Sequence, residues 1–308
     1  MKLQRLDRFL TRLLKRSKKD IRATIASGAV QVNGMTLHNV QNNYLISTFC
    51  HITINEKIIY NRTAYYVLLH KPKGIVSATK DKEHTCVMDL FDFGAMPWTK
   101  ELRLVGRLDR FTTGLLLLTN DSHWSTSISD PNKGTGGGKK VPKKYLVTTL
   151  KEIDQFEEVA RQFQEGLYLP DNDVTCRPSL IERVSGGGDG GGGDGGEGNG
   201  GGGDSSKVDN KHQYYITLYE GKRHQVKCMI NAISMHEEQD VRNRVIELHR
   251  ESIGNLILDG KKLKEGEWRH LNVEEVMGMV PMVGESGVEE EEGKESEGGE
   301  ERGEEGTR

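Results

Sequence analysis

Four consecutive leucines at 115–118, held between Gly114 and Thr119, constrain this chain more than any other feature. An apolar run that short and that dense reads as a strand buried on both faces. It closes the stretch GRLDRFTTGLLLLTND at 106–121. Asp109 sits just ahead of it, with Arg107 two positions earlier. A packed strand fixes whatever precedes it, so a turn carrying Asp109 at the edge of a rigid core is a good seat for a reacting carboxylate. The plainer alternative is a turn aspartate that caps a neighbouring backbone N–H.

The charge balance first appears to exclude a polyanionic partner, because 308 residues carry a formal net charge of -3. The distribution reverses that impression. The tail 284–308 holds eleven Glu against one Lys and two Arg, a net of -8, which leaves +5 on the first 283 residues. The segment 185–206 carries three Asp and one Glu and no basic residue, so the remaining body stands near +9. A basic body is the electrostatic footprint of an RNA binder. Segment 185–206 also contains fourteen glycines and no apolar residue, which predicts disorder. The acidic tail reads the same way, and the Gly/Lys-rich 132–140 reads as a loop. The four cysteines, Cys50, Cys86, Cys176 and Cys228, lie far apart, with neither metal-site spacing nor a disulfide framework. No apolar stretch approaches the ~20 residues that span a bilayer, and no signal-peptide core opens the chain.

Residues 1–60 form a first unit. Leu6, Phe9, Leu10 and Leu13 recur at helical spacing, Ser17 and Asp20 suit the start of a second short helix, and Gly28 suits its end. Val30 and Val32 then alternate as a strand, and Asn33-Gly34 signals a tight turn. Nine cations, among them Arg5, Arg8, Lys18, Lys19 and Arg22, face only Asp7 and Asp20 over the first 22 residues. A solvated helical face or an Arg-rich transit peptide would also look basic. The run RLDRFL followed by SKKDIRATIASGAVQVNG, however, resembles the small RNA-binding domain named after ribosomal protein S-four. The resemblance implies that these five residues meet structured RNA, through phosphate contacts that position rather than read sequence.

The second unit covers 63–280. Residues 65–69 suit a buried strand, and His70-Lys71-Pro72-Lys73-Gly74 suits a turn. Lys71 and Lys73 read either as phosphate contacts or as merely solvated. Further on stand Lys143-Lys144-Tyr145-Leu146-Val147, the run EGKRHQVK at 220–227, VIELHRESIGNLILD at 245–259, and GEWRHL at 266–271. Together with GRLD these segments resemble the pseudouridine synthases, in the branch represented by RsuA. His70 replaces the usual Asn of the family's N-K-P-x-G, Ser122 a usual Gly, and Cys228 a usual basic residue.

That resemblance implies a fold and a chemistry. The fold is α+β, a small helical RNA-binding domain followed by a mainly antiparallel mixed sheet. The chemistry breaks the bond between uracil and ribose and rejoins the base through its carbon 5, with no cofactor and no metal. Asp109 is the implied nucleophile, attacking either the sugar carbon or the pyrimidine ring. Tyr145 is the residue that packs on the target base, the alternative being a core tyrosine. Lys227 is the partner of Asp109, since a buried carboxylate without one protonates. Arg107 either fills the gap left by a flipped base or makes a structural ion pair. Arg223 and His224 are candidate contacts to the RNA backbone. Val245, Ile246 and Leu248 suggest one strand and 256–258 another, with His249 and His270 in structural roles and Arg250 a candidate phosphate contact. The expected substrate is one uridine of ribosomal RNA, small-subunit before large-subunit, as naked RNA or an assembling particle. A monomer is expected, with no membrane partner. The compartment is open between a bacterial-type cytoplasmic enzyme and a plastid or mitochondrial one. The competing reading is a non-catalytic RNA-binding assembly factor.

Overall fold

The computed structural model describes residues 3–38, 44–130, 141–184, 212–234 and 243–279. The segments 132–140, 185–206 and 284–308 lie outside those residues. At the start, β1 (Leu3–Arg5) runs directly into α1 (Leu6–Leu14), whose Leu6 and Leu10 are wholly buried. The next helix, α2 (Lys18–Ala26), begins where the capping pattern places it: the Ser17 hydroxyl accepts the Asp20 backbone N–H at 3.1 Å. It ends ahead of Gly28, which takes a φ of +75° and would have no room for a Cβ beside the His38 ring. The unit continues as short strands: β2 (Val30–Val32), β3 (Met35–Thr36), β4 (Leu45–Ser47), β5 (His51–Ile54) and β6 (Lys57–Asn61). Asn33 and Gly34 both have positive φ, which lets the β2–β3 hairpin close in two residues. Sheet order is β3-β2-β5-β6, with β1 paired to β4. Ile21, Ile25, Val30 and Ile52 join Leu6 and Leu10 in one core drawn from residues 6–60 alone. Helices thus supply 6–26 of this unit, and strands complete it.

From Tyr66 onward the chain builds one nine-stranded sheet. Its elements are β7 (Tyr66–Lys71), β8 (Arg103–Val105), β9 (Thr113–Thr119), α3 (Ser122–Ser129), β10 (Lys143–Thr149) and α4 (Phe156–Glu165). There follow a side hairpin of β11 (Tyr168–Leu169) and β12 (Val174–Thr175), then β13 (Leu180–Arg183), β14 (Gln213–Leu218) and α5 (Gln225–Ile233). The chain closes with β15 (Val245–Ile253), β16 (Leu256–Ile257), β17 (Trp268–His270) and α6 (Val273–Met279). The order is β13-β14-β10-β15-β9-β7-β17, with β16 on β15 and β8 on β9. Only β9 and β15 run parallel. The expectation of a mainly antiparallel mixed sheet holds.

The leucine run explains itself in β9. Leu115 and Leu117 pack on one face with Leu68, Val105, Trp124 and Ile128; Leu116 and Leu118 pack on the other with Val67, Leu69, Phe91 and Leu102. All four are fully buried, each contributing ~1.5–3 kcal/mol of apolar transfer. Just beyond, the Asn120 amide bridges to Tyr65 and Thr63, while the Asp121 carboxylate caps α3 by accepting from the N–H groups of His123 and Trp124. Ser122 is the first helical residue there, a position that asks nothing of glycine. No helix among the described residues is long and apolar enough to cross a membrane.

Candidate active site

The loop between β8 and β9 carries Asp109, as the sequence pattern requires, and it is tied down at several points. Gly106 turns it with a φ of +76°. The Ser77 hydroxyl donates to Leu108 O at 2.7 Å and accepts from Leu108 N at 3.1 Å. The Gly74 N–H donates to Arg110 O, and Arg110 Nε returns a bond to Gly74 O. Lys71 completes the set and corrects an expectation. It faces neither phosphate nor solvent but is fully buried, its Nζ donating to the carbonyls of Pro72, Arg110 and Thr112 at 3.0, 3.2 and 2.9 Å. Burial pushes its pKa down to about 8, against the pull of Asp109 and Glu265.

Asp109 is met by two groups from the start of α5. Lys227 Nζ lies 2.9 Å from its Oδ2, and His224 Nε2 lies 3.4 Å from its Oδ1. The pairing with Lys227 is the one the H-Q-V-K motif implied. His224, a candidate contact to the RNA backbone, stands with its ring beside the carboxylate. It adopts a left-handed φ of 53° just before the helix. The loop leading there is organised by the buried Glu220, which accepts from Arg177 N and Gln225 Nε2 and pairs with the Lys222 ammonium at 3.3 Å.

Opposite this loop, the sheet itself supplies the wall. Tyr145 on β10 is paired in register with Arg250 on β15, and Arg250 in turn with Gly114 on β9. Gly114 is indispensable to that row: a Cβ at this position, with φ +108°, would lie 2.3 Å from Arg250 O. Tyr145 is buried to 8% exposure, and its hydroxyl accepts a long 3.5 Å bond from Arg250 Nη1. Arg250 Nε donates to Leu115 O at 2.7 Å. Lys143 is half-buried nearby, and burial followed by the Arg250 charge brings its pKa down to about 8.

Asp109, His224, Tyr145, Lys143 and Arg250 line one cleft of about 120 Å³, together with Arg107, Thr112, Lys222, Gln225 and Leu248. Asp109 is the one carboxylate among them. Arg107 is exposed on the rim and makes no ion pair with a described residue. Arg223 is exposed beside the cleft. Of the cations in the first unit, Arg8 and Lys19 are exposed, whereas Arg5, Lys18 and Arg22 gather on Asp7 at 2.8, 3.9 and 3.5 Å. Arg250, like Lys71, is buried rather than turned to phosphate as the sequence suggested, since each takes its surroundings from strands distant along the chain. Among the described residues no group of three His, Cys, Asp or Glu is placed to hold a metal ion.

A carboxylate fixed by a cation, an aromatic wall and a basic rim suit attack on a sugar and the handling of a planar base. Comparison with known proteins agrees with that chemistry. Ribosomal small subunit pseudouridine synthase A of Pseudomonas aeruginosa is 33% identical over 273 residues, covering 88% of this chain and 98% of the relative. The protein of the same description from Escherichia coli K12 is 30% identical over 276 residues, covering 90% of this chain and all of the relative. A crystal structure of a pseudouridylate synthase aligns with a TM-score of 0.54 at 27% identity, over 90% of this chain and 99% of its own. Residues 65–232, which carry Asp109, Tyr145 and Lys227, match the RNA pseudouridylate synthase family, and with the 33% identical relative this places the chain in that family as an RNA pseudouridine synthase.

Proposed function

We propose that the protein isomerises a uridine of ribosomal RNA, in the small subunit, with Asp109 as nucleophile. The observation that carries the reading is the 2.9 Å pair between Lys227 Nζ and Asp109 Oδ2. It presents a charge-balanced, oriented carboxylate at the mouth of a base-sized cleft. The substrate class follows from the relatives, which are described as acting on the ribosomal small subunit.

In this reading RNA settles first on basic surfaces. Arg8, Lys19 and the Asp7-bound group of Arg5, Lys18 and Arg22 on the first unit make phosphate contacts, and Arg223 extends them beside the cleft. The target uridine leaves its stack, and the Arg107 guanidinium takes its place. The base enters the cleft against Tyr145. An Asp109 oxygen attacks C1′, the bond from C1′ to N1 breaks, and its electron pair stays on uracil. The base rotates, C5 attacks C1′, and Asp109 departs as a carboxylate. The C5 proton is then lost and N1 is protonated. Lys227 balances Asp109 at both ends of this sequence, and His224 orients its second oxygen.

The test is tritium release from RNA labelled at uridine C5, on small- and large-subunit rRNA with and without ribosomal proteins. Wild type should release tritium from small-subunit substrate, and Asp109→Ala should release none. Intact RNA binding by both proteins with no release from any substrate would leave an assembly factor as the better description.

A further inference from the structure

The uracil that leaves C1′ is an anion, and the cleft contains a cation with nothing to do. Arg250 is 2% exposed and makes no ion pair with a described residue. Its Nε serves Leu115 O, its Nη1 makes only the 3.5 Å contact with Tyr145, and its Nη2 has no hydrogen-bond partner. A buried charged donor left unpaired is costly, more so than a neutral one. A second orphan lies in the same wall: Thr112 Oγ1, also buried, also without a partner. Asp109 does not compensate Arg250, because Lys227 and His224 already hold both its oxygens. Lys143 adds another cation on the same side and hydrogen-bonds only at 3.4 Å, to Val141 O. The lining therefore carries more positive than negative charge, and the unpaired polar atoms belong to residues within it.

We propose that Arg250 is a catalytic residue that stabilises the detached uracil anion, its free Nη2 donating to a uracil carbonyl oxygen while Thr112 Oγ1 meets the same polar edge. The inference rests on Asp109-dependent cleavage as described above. When the pair from the broken bond moves onto uracil, it spreads over N1 and the two carbonyl oxygens. A guanidinium beside one of those oxygens gains strength as the charge grows, so it favours the cleavage step over substrate binding. It also keeps the free base in the cleft during rotation, through an interaction that does not depend on which ring atom faces C1′. No oxidant, metal or further reactant is needed. Arg250 is well placed for this because its backbone is locked between Gly114 and Tyr145 by the register of three strands.

The experiment is single-turnover kinetics of the full-length protein on small-subunit rRNA transcripts made with uridine or with 5-fluorouridine. Fluorine at C5 makes uracil a more stable anion and so a better leaving group. Wild type, Arg250→Gln, Arg250→Lys and Asp109→Ala are compared, with RNA affinity measured alongside. On the uridine transcript Arg250→Gln should slow cleavage roughly 10²–10³-fold, the usual effect of deleting a charge-stabilising donor, with little change in RNA affinity. On the fluorinated transcript that deficit should contract about tenfold or more. Asp109→Ala should be inactive on both. Should Arg250→Gln fail to fold, Arg250→Lys keeps the charge, loses the planar fork, and should show the same contraction from a smaller deficit. An equal deficit on both transcripts would overturn the inference and leave Arg250 a structural residue. A deficit in affinity rather than rate would also overturn it, pointing to a phosphate contact. A wild type inert on every transcript would bring down the isomerase reading itself, and this inference with it.

Discussion

Replacing Lys71 by methionine should destabilise the protein in a way that depends on pH, with a sign set by burial. Lys71 is fully buried, and its pKa falls from 10.5 to about 8. At ~1.36 kcal/mol per pH unit the gap corresponds to about 3 kcal/mol. Below pH 8 both folded and unfolded chains hold the proton, and the folded chain carries the full penalty of a buried ammonium. Between pH 8 and 10.5 the folded chain has released the proton and the unfolded chain retains it, so stability rises with pH through that window. Met fills the same volume but leaves the carbonyls of Pro72 and Thr112 without their lysine donor, at a cost of ~1–3 kcal/mol each. At pH 7 removal of the buried charge offsets much of that loss. At pH 10 it offsets little, because the wild-type lysine is by then neutral.

Denaturant unfolding of both proteins at pH 7, 8, 9 and 10 reads this directly. The variant should lie nearest to wild type at pH 7 and fall about 2–3 kcal/mol further behind by pH 10. Lys143 titrates in both proteins and cancels in the difference. A stability gap that is the same at pH 7 and pH 10 would refute the reasoning, since Lys71 would then hold its proton alike in the folded and unfolded chains. The variant should also lose turnover by about 10²-fold at pH 7, because the tether of the Asp109 loop is gone.

Lys227→Met should lower tritium release roughly 10²–10³-fold while RNA affinity in a filter-binding assay stays near wild type, because the 2.9 Å pair acts on Asp109 and not on phosphate. Gly114→Ala should cost about 3 kcal/mol or more by thermal denaturation, through backbone strain and collision with Arg250; Gly34→Ala, also at positive φ but with open space around it, should cost only about 1 kcal/mol. Arg107→Ala should reduce turnover about tenfold on a stacked target uridine and less on an unpaired one, where little stacking needs replacing; equal losses on both would remove it from base flipping.

What the sequence disclosed and what it withheld divide along a physical line. The buried strand at 113–119, the Ser17 cap, the Asn33-Gly34 turn and the Asp109 loop were legible because each is decided within a few residues. Lys227 was legible as Asp109's partner because the resemblance of H-Q-V-K to a known motif implied it. Arg250 was not, since its surroundings come from Leu115 and Tyr145, 135 and 105 residues away. Its burial depends on strand register, which local pattern leaves open. Lys71 was misread for a related reason. It looked like a surface residue at a Pro/Gly turn, yet it is the last residue of β7, and its ammonium turns inward to carbonyls of the loop before β9. Unpaired or inward-turned polar groups of this kind are where local rules fail, and functional sites are where such failures are expected.

Asp7 shows why a count of positive charges understates the first unit. A helix start dense in cations disperses them by mutual repulsion, and mobile side chains give up entropy when RNA arrests them. Here the Arg5 guanidinium grips both oxygens of a buried carboxylate, and Lys18 and Arg22 arrive from the second helix. The Arg5 hydrogen bonds hold Asp7 below its ordinary pKa despite burial, so the arrangement persists at neutral pH and loosens only as pH falls through that lowered value. One anion therefore subtracts a single charge from the surface and in return holds three cations, from β1 and α2, at one place. A phosphate meeting that place finds its donors already gathered, whereas Arg8 and Lys19 must still be ordered on contact. Orientation of the RNA should consequently follow the Asp7 group, and the exposed cations around it should add affinity with little say in register.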